Sequence, residues 1–264
     1  MLHELVELQR LLWNSNLIAG AKELYELKLN VIERNVYGVD IDRFAVNIAM
    51  LRLWLSLVVD YDGQAKDLPP LPNLDYKIAC GDSLIAPDPK SFQQLAFAHE
   101  MIVAYRDAKG KYLHAHGEEK RVRKVEIDAL RHDIAAMPRA GGAVIAGAFD
   151  WAVEFAEVFE RGGFDIVVMN PPYLSANRIP GDQREAFNNY LALLRPQYGF
   201  SSDLYVHFFY RAIQMLKTGG ILSAITSNTF LTNTTKTFVR RELISRTHRG
   251  DQRVRAASFH LRHL

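Results

Sequence analysis

Apolar residues recur along the chain with two different periods. Over 2–14 and about 18–34 they fall at helical spacing, with Leu2, Leu5, Leu8, Leu11 and Leu12 on one stripe. Val36-Tyr37-Gly38-Val39-Asp40-Ile41 is too short for a helix and rich in β-branched residues, which predicts a strand. Asp42 then supplies an N-cap for a helix over about 43–58, whose Phe44, Ile48, Leu51, Leu55 and Val58 are expected to form a wide buried face. Leu68-Pro69-Pro70-Leu71-Pro72-Asn73 reads as a proline-stiffened connector. Tyr76-Lys77-Ile78-Ala79-Cys80 is a second strand candidate, closed by Gly81-Asp82. Helix, strand, helix, strand is the order of an α/β sheet with parallel strands.

That alternation stops over about 90–140. Leu95, Ala98, Ile102 and Tyr105 make one helical stripe and Ile127, Leu130, Ile134 and Met137 another, with Gly110 and Gly117 bracketing the break. The charges here are mixed in sign, as on a solvated helical pair, which predicts an inserted helical hairpin. The alternation resumes at Phe164-Asp165-Ile166-Val167-Val168-Met169, a near-continuous apolar run expected for a central strand buried on both faces. Helices are predicted near 182–194 and 203–216, the second capped by Ser202 or Asp203. Lys217-Thr218-Gly219-Gly220 turns into a strand over 221–226, and a last helix covers about 233–245.

Composition narrows the class. The 264 residues are 48% hydrophobic and 23% charged, which is globular rather than disordered. Lys plus Arg is 32 against 30 Asp plus Glu, a net charge of +2 that excludes binding to nucleic acid by bulk charge alone. The basic residues do gather at one end: 240–264 holds seven arginines against Glu242 and Asp251, net +5. The stretch 246–264 shows neither helical nor strand period. It reads as an irregular basic tail, and a frayed end suits the missing pattern better than a nucleic-acid contact does. The single Cys80 cannot form an internal disulfide, so a reducing cytoplasmic setting is expected. The longest apolar stretch, around Leu53 to Val59, is broken by Ser56 and too short for a bilayer. Met1-Leu2-His3-Glu4-Leu5-Val6-Glu7 is acidic and amphipathic, unlike a secretory signal. The expectation is a soluble protein with no membrane partner.

The residues richest in chemistry are Asn170-Pro171-Pro172-Tyr173, directly after the apolar strand. Ligands of open α/β sheets bind outside the carboxyl ends of the strands, so the position suits a site. Asn170 offers a carbonyl that can accept from an amino group. The two prolines stiffen the turn and leave the Pro171 carbonyl as a second acceptor, and Tyr173 can stack on a planar ring. The exocyclic amine of a purine is a poor nucleophile because its lone pair is delocalised into the ring. Two acceptors converging on its hydrogens favour tetrahedral nitrogen and localise that pair, so that it can attack an electrophilic methyl. The plainer alternative is a rigid turn carrying a buried tyrosine.

Phe164 through Tyr173 resembles the catalytic motif of gamma-class DNA N6-adenine methyltransferases. The preceding Phe149-Asp150-Trp151, Glu154-Phe155, Glu157-Val158-Phe159 and Gly162-Gly163 are similar to the run before that motif in type IIG restriction–modification enzymes. Tyr37-Gly38-Val39-Asp40-Ile41-Asp42, with Ala45, Ile48-Ala49 and Arg52-Leu53, resembles the family's second strand and helix. Gly81-Asp82-Ser83-Leu84 resembles the end of its third strand. Leu216-Lys217-Thr218-Gly219-Gly220-Ile221-Leu222, followed by Thr226-Ser227-Asn228, resembles its fifth-strand region. The likeness covers about 1–245, with several motifs in the right order. It implies a Rossmann-like, class I S-adenosylmethionine-dependent methyltransferase fold, S-adenosylmethionine as methyl donor and double-stranded DNA as partner. Asn170, Pro171, Pro172 and Tyr173 would be catalytic. Asp40 would accept the cofactor's ribose hydroxyls and Asp82 would accept from its adenine amino group, with Ile41 and Ser83 as further cofactor-binding residues. Either aspartate could instead be a cap or loop residue, and Asp42 is read as the N-cap.

Several family parts are absent from the chain. The first strand and its glycine-rich loop would precede Met1. The last antiparallel strands are not recognisable after about Ser245, and the recognition and nuclease domains of the type IIG enzymes are not recognisable in these residues. In this fold class the first strand lies centrally, so two apolar strand edges are expected to lack their partner. The domain reading is a partial catalytic domain over 1–245 with the helical insert at about 90–140, and a neighbouring chain could carry the missing loop or recognition domain. Three functions stay open: an adenine-N6 methyltransferase core acting on a flipped base, a non-catalytic remnant lacking the cofactor loop, and a protein-glutamine methyltransferase. The long insert and the 149–159 run argue against the last.

Three further features read as ordinary structure. His114 and His116 lack a third ligand in sequence and read as solvated surface, so no metal is expected. Cys80 reads as buried packing inside a strand. Ala140-Gly141-Gly142-Ala143 does not follow a strand in the way a phosphate loop requires, and reads as a connector.

Overall fold

A computed structural model describes residues 21–59, 61, 64, 66, 69–89, 98–136, 149–175, 178–179, 181, 184–185, 187–190, 203–226, 230, 237, 239–241 and 252–258. The helix expected over 2–14, the start of that over 18–34, Ser202, Ala140-Gly141-Gly142-Ala143, Ser227-Asn228 and parts of the helices near 182–194 and 233–245 lie outside the described residues. The chain divides into two compact units, one of Met1–Ser83 with Val103–Asp133 and one of Leu84–Ile102 with Ile134–Leu264, where the sequence suggests one domain over 1–245.

In the first unit, helix α1 (Ala21–Asn35) leads into strand β1 (Gly38–Asp40), helix α2 (Arg43–Val58) and strand β2 (Ile78–Cys80). β1 and β2 pair in parallel, Gly38 opposite Ile78 and Asp40 opposite Cys80. Asp42 caps α2 as expected, its carboxylate accepting from the Phe44 amide at 2.8 Å. The buried side of α2 differs from the expectation. Val46, Met50 and Leu57 are buried with Tyr25, Val31, Ile32, Leu74 and Ile78, whereas Phe44, Ile48, Leu51, Leu55 and Val58 are exposed, Phe44 to 70%. The reason lies in the helix itself: Arg43–Val58 is apolar on almost every side, so two rival stripes satisfy the helical period and packing against α1 and the strands selects one. Cys80 is partly buried against this core, not fully buried as expected, with its thiol 3.5 Å from the Ile41 carbonyl.

The insert is helical. Helix α3 (Ala98–His114) and helix α4 (Gly117–Ala136) are joined by Ala115-His116, and Gly117 takes φ +57°. Gly110 lies inside α3 rather than at its end. Buried Asn73, from the proline connector, satisfies the end of α3: its Nδ2 donates to the Tyr112 carbonyl at 2.8 Å and the Ala115 carbonyl at 2.7 Å, and its amide to Leu113 at 2.9 Å. The Tyr112 hydroxyl donates to Asp75 at 2.9 Å, and burial followed by that aspartate pushes its ionisation up.

The second unit opens with two single-turn helices, α5 (Trp151–Glu154) and α6 (Ala156–Phe159). Asp150 caps α5 by accepting from the Ala152 and Val153 amides at 3.1 and 3.3 Å. Phe149, Trp151, Phe155, Phe159 and Phe164 meet edge-on or tilted, their centroids 5.1–6.3 Å apart. Gly162 and Gly163 then turn the chain into strand β3 (Phe164–Met169). Helix α7 (Leu204–Met215) runs straight into strand β4 (Leu216–Thr226), and β3, β4 and strand β5 (Gln252–Ser258) form a parallel sheet in that order. Phe164 pairs with Leu216 but Ile166 with Ile221, so the expected turn at Lys217-Thr218-Gly219-Gly220 is taken up as a bulge within β4.

Two expectations fail here. β3 is not buried on both faces: Val167 and Met169 pack on the core of Val206, Phe209, Ile213, Leu216 and Leu222, but Ile166 and Val168 are exposed to 46% and 55%. Among the described residues α7 covers one face only. Nor is 246–264 wholly irregular, since 252–258 pairs with β4; an edge strand is held through its backbone and needs no strict side-chain alternation. Parallel pairing is as the α/β reading expects. The five strands among the described residues form two separate sheets, however, and in each the terminal strands, β1 and β3 among them, have an open edge.

Candidate active site

The carboxyl ends of the strands carry the residues of interest in both units. In the first unit Asp40 ends β1, is exposed, and its Oδ1 accepts from the Asp42 amide at 2.8 Å. The Gly81 amide donates to the Asp40 carbonyl at 2.9 Å, extending the ladder one step past β2. Asp40-Ile41 and Asp82-Ser83 are thereby brought together as the adjacent exits of two parallel strands. Ile41 is 63% exposed, an apolar side chain held in water beside a carboxylate. Asp82 and Ser83 are half-buried. An exposed carboxylate, an exposed aliphatic group and a second acid at neighbouring strand ends fit a nucleoside: acceptors for hydroxyls and an amine, and an apolar surface for a ring.

In the second unit Asn170-Pro171-Pro172-Tyr173 leaves the end of β3. Pro171 is buried and fixes the turn, while Asn170, Pro172 and Tyr173 are exposed, Tyr173 to 49%. The expected buried-tyrosine alternative therefore does not describe this turn. The Tyr173 hydroxyl donates to Asn170 Oδ1 at 3.4 Å, long for such a bond, so the Asn170 acceptor is only weakly engaged. The far end of the loop is moored to α7. The Leu204 amide donates to the Leu174 carbonyl at 2.9 Å, and Ser175 bridges Asp203. A rigid loop fixed at both ends, with an amide carbonyl and an aromatic ring turned outward, is able to hold a flat amine-bearing ligand.

Sequence reasoning passed over Arg211. It lies on α7, is 3% exposed, and donates from all three guanidinium nitrogens to the carbonyls of Leu84, Ala86 and Pro87. The signal was available: Arg211 is the one permanently charged residue within Leu204–Met215, a mainly apolar helix, and such a charge needs an explanation. His114 is exposed and lies 3.3 Å from Glu33. Burial raises the Glu33 carboxyl above its ordinary range, opposed by His114 and then by Arg34 and Lys77. Among the described residues no group of three His, Cys, Asp or Glu side chains could hold a metal, and no helix is long and apolar enough to cross a membrane.

No solved structure matches the chain. A Methanocaldococcus jannaschii protein whose name describes it as a type II restriction enzyme and methyltransferase is similar, 23% identical over 317 aligned residues. That alignment covers 93% of this chain but 26% of the relative, so the chain spans about a quarter of that relative's length. The model of the Eco57I restriction-modification methylase family matches residues 34–250, a stretch that holds both strand-end clusters, and the chain belongs to that family.

Proposed function

We propose that this chain is the catalytic part of a DNA adenine-N6 methyltransferase of a restriction–modification system, with S-adenosylmethionine as donor and double-stranded DNA as partner. The observation that carries the reading is the outward-facing Asn170 and Tyr173 on a loop fixed by buried Pro171 at the end of β3. In this reading a flipped adenine stacks on Tyr173. Its amine donates to Asn170 Oδ1, displacing the long bond from the Tyr173 hydroxyl, and to the Pro171 carbonyl. The two acceptors draw the amine out of conjugation, and Pro172 keeps the loop from yielding. Asp40 takes ribose hydroxyls, Ile41 packs on the adenosyl ring, and Asp82 with Ser83 takes the adenine's polar edge. The bound cofactor supplies an electrophilic methyl group.

Methyl transfer from labelled S-adenosylmethionine to unmethylated DNA, with the product nucleosides separated, tests the reading. Label on adenine N6 is expected, reduced about 10²–10³-fold in Asn170→Ala. Calorimetry should show cofactor binding that Asp40→Ala abolishes. Label on protein glutamine alone would replace DNA with protein as substrate. A folded chain that neither binds the cofactor nor transfers methyl would be a non-catalytic remnant.

A further inference from the structure

Most of the helical insert, Val103–Asp133, falls in the same compact unit as Met1–Ser83, and there its two helices hold one short stretch, the last residues before β2. On the α3 side, Asn73 Nδ2 donates to the Tyr112 and Ala115 carbonyls at 2.8 and 2.7 Å, and its amide donates to the Leu113 carbonyl at 2.9 Å. The Tyr112 hydroxyl donates to Asp75 at 2.9 Å. On the α4 side, Lys120 lies 3.8 Å from the same Asp75 carboxylate, and the Tyr76 hydroxyl donates to Asp128 at 3.4 Å. The Tyr76 and Tyr112 rings meet edge-on, their centroids 4.9 Å apart. Both hydroxyls are kept protonated as donors: burial, and then Asp128 for Tyr76 and Asp75 for Tyr112, pushes their ionisation up. Asn73, Asp75 and Tyr76 are thus held in succession by both helices.

The held stretch passes directly into the strand pair. The carbonyl of buried Leu74 accepts from the Lys77 and Ile78 amides, both at 2.9 Å, which closes a turn where β2 begins. The Lys77 carbonyl accepts from the Gly38 amide at 2.9 Å, and its ammonium lies 3.5 Å from the Tyr37 ring centroid, so the same stretch is tied to the start of β1. β2 needs such a hold. It is three residues long, and among the described residues its strand partner is the equally short β1, a ladder too small to be stable alone. Burial of Ile78 selects the face of β2 that turns inward, because successive side chains alternate. How far β2 has advanced along β1 is set by where the chain before it is anchored. At the far end the Gly81 amide reaches the Asp40 carbonyl, so that advance places Asp82 relative to Asp40.

We propose that the helical insert is a positioning device for the cofactor site: Tyr112 and Asp128, acting through Asp75 and Tyr76, hold β2 in the register that sets Asp82 beside Asp40. Every residue involved lies within the one compact unit. The proposal rests on the cofactor roles given above to Asp40 and Asp82. Tyr76 and Tyr112 are positioning residues and touch no ligand in this reading.

The test compares the full chain with the double variant Tyr76→Phe/Tyr112→Phe, which removes both hydroxyls and keeps both rings. Val125→Ala, at an exposed position of α4, is the control. Two ligands are titrated by calorimetry: S-adenosylmethionine and its analogue with unsubstituted purine in place of adenine. Wild type and Val125→Ala are expected to prefer the adenine ligand by about tenfold, the worth of a hydrogen bond to a carboxylate. In the double variant that preference should fall below about threefold, with amide exchange over 78–83 about tenfold faster. A purely structural loss would weaken both ligands equally and leave the preference intact, so an undiminished preference in the folded double variant would overturn the positioning role. Should the double variant not fold, Tyr112→Phe alone carries the same comparison. A wild-type chain that binds the two ligands equally, or binds neither, would remove Asp82 from the adenine and overturn the cofactor reading together with the proposal.

Discussion

Gly163 sits where α6 gives way to β3, at φ +115°, and a Cβ placed there would lie 2.5 Å from the Met215 carbonyl oxygen and 3.1 Å from Leu216 C and Lys217 N. Substitution by alanine therefore adds two penalties. A side chain at this backbone angle costs about 1–3 kcal/mol. The overlap is with main chain at the α7–β4 junction rather than with a side chain that can swing aside, and forced displacement adds about 1–3 kcal/mol. Together these take about 2–6 kcal/mol from a total stability of about 5–15 kcal/mol. Gly219→Ala is the matched control, because Gly219 also has positive φ, +80°, but nothing within 4 Å of a built Cβ. It carries strain alone, about 1–2 kcal/mol. Urea unfolding should place the Gly163→Ala midpoint well below that of Gly219→Ala, by about 0.5–2 M at a slope of about 2 kcal/mol/M. Equal midpoints would mean that Gly163 is not seated against the Met215 carbonyl, and the alignment of Phe164 with Leu216 would have to be redrawn.

Asn73→Ala strips the end of α3 of the Nδ2 donor to the Tyr112 and Ala115 carbonyls, at an expected cost of about 2–4 kcal/mol. That should lower the thermal midpoint by about 5–10 °C, and a shift under 2 °C would contradict the bonding described. Glu33→Gln probes the raised carboxyl. A folded-state pKa above the ordinary 4.5 means that protonated Glu33 favours folding, and that this contribution fades as pH rises through the raised value. Wild type and variant should match at pH 4, and the variant should gain relative stability between pH 5 and 7, read by urea unfolding at each pH; a gap that is flat with pH would refute the burial argument.

What the sequence made legible follows from the range over which each feature is determined. β3 and the turn after it could be read because an apolar run ending at Asn170-Pro171-Pro172-Tyr173 is a local signal. The Asp42 cap is local too, and α2 began where it was expected. Which face of α2 is buried is not local. Val46, Met50 and Leu57 win over Phe44, Ile48 and Leu51 through contacts with α1 and the strands, and the helix's own pattern holds both answers. β5 was missed because parallel pairing uses backbone groups, for which the residues of 252–258 leave little trace. Arg211 escaped because the carbonyls that explain it lie 124–127 positions earlier in the chain.

The parallel sheet also sets a timetable. β3 and β4 are neighbours in space but separated by roughly 50 residues, so β3 leaves the ribosome well before its partner exists. At an elongation rate of about 5–20 residues per second the gap lasts about 3–10 s. Through that interval Ile166, Val167 and Val168 form a β-prone apolar segment that still lacks β4, followed by two prolines that cannot donate to a passing edge. The Asn170-Pro171-Pro172-Tyr173 turn thus also ends the segment most exposed to mispairing during synthesis.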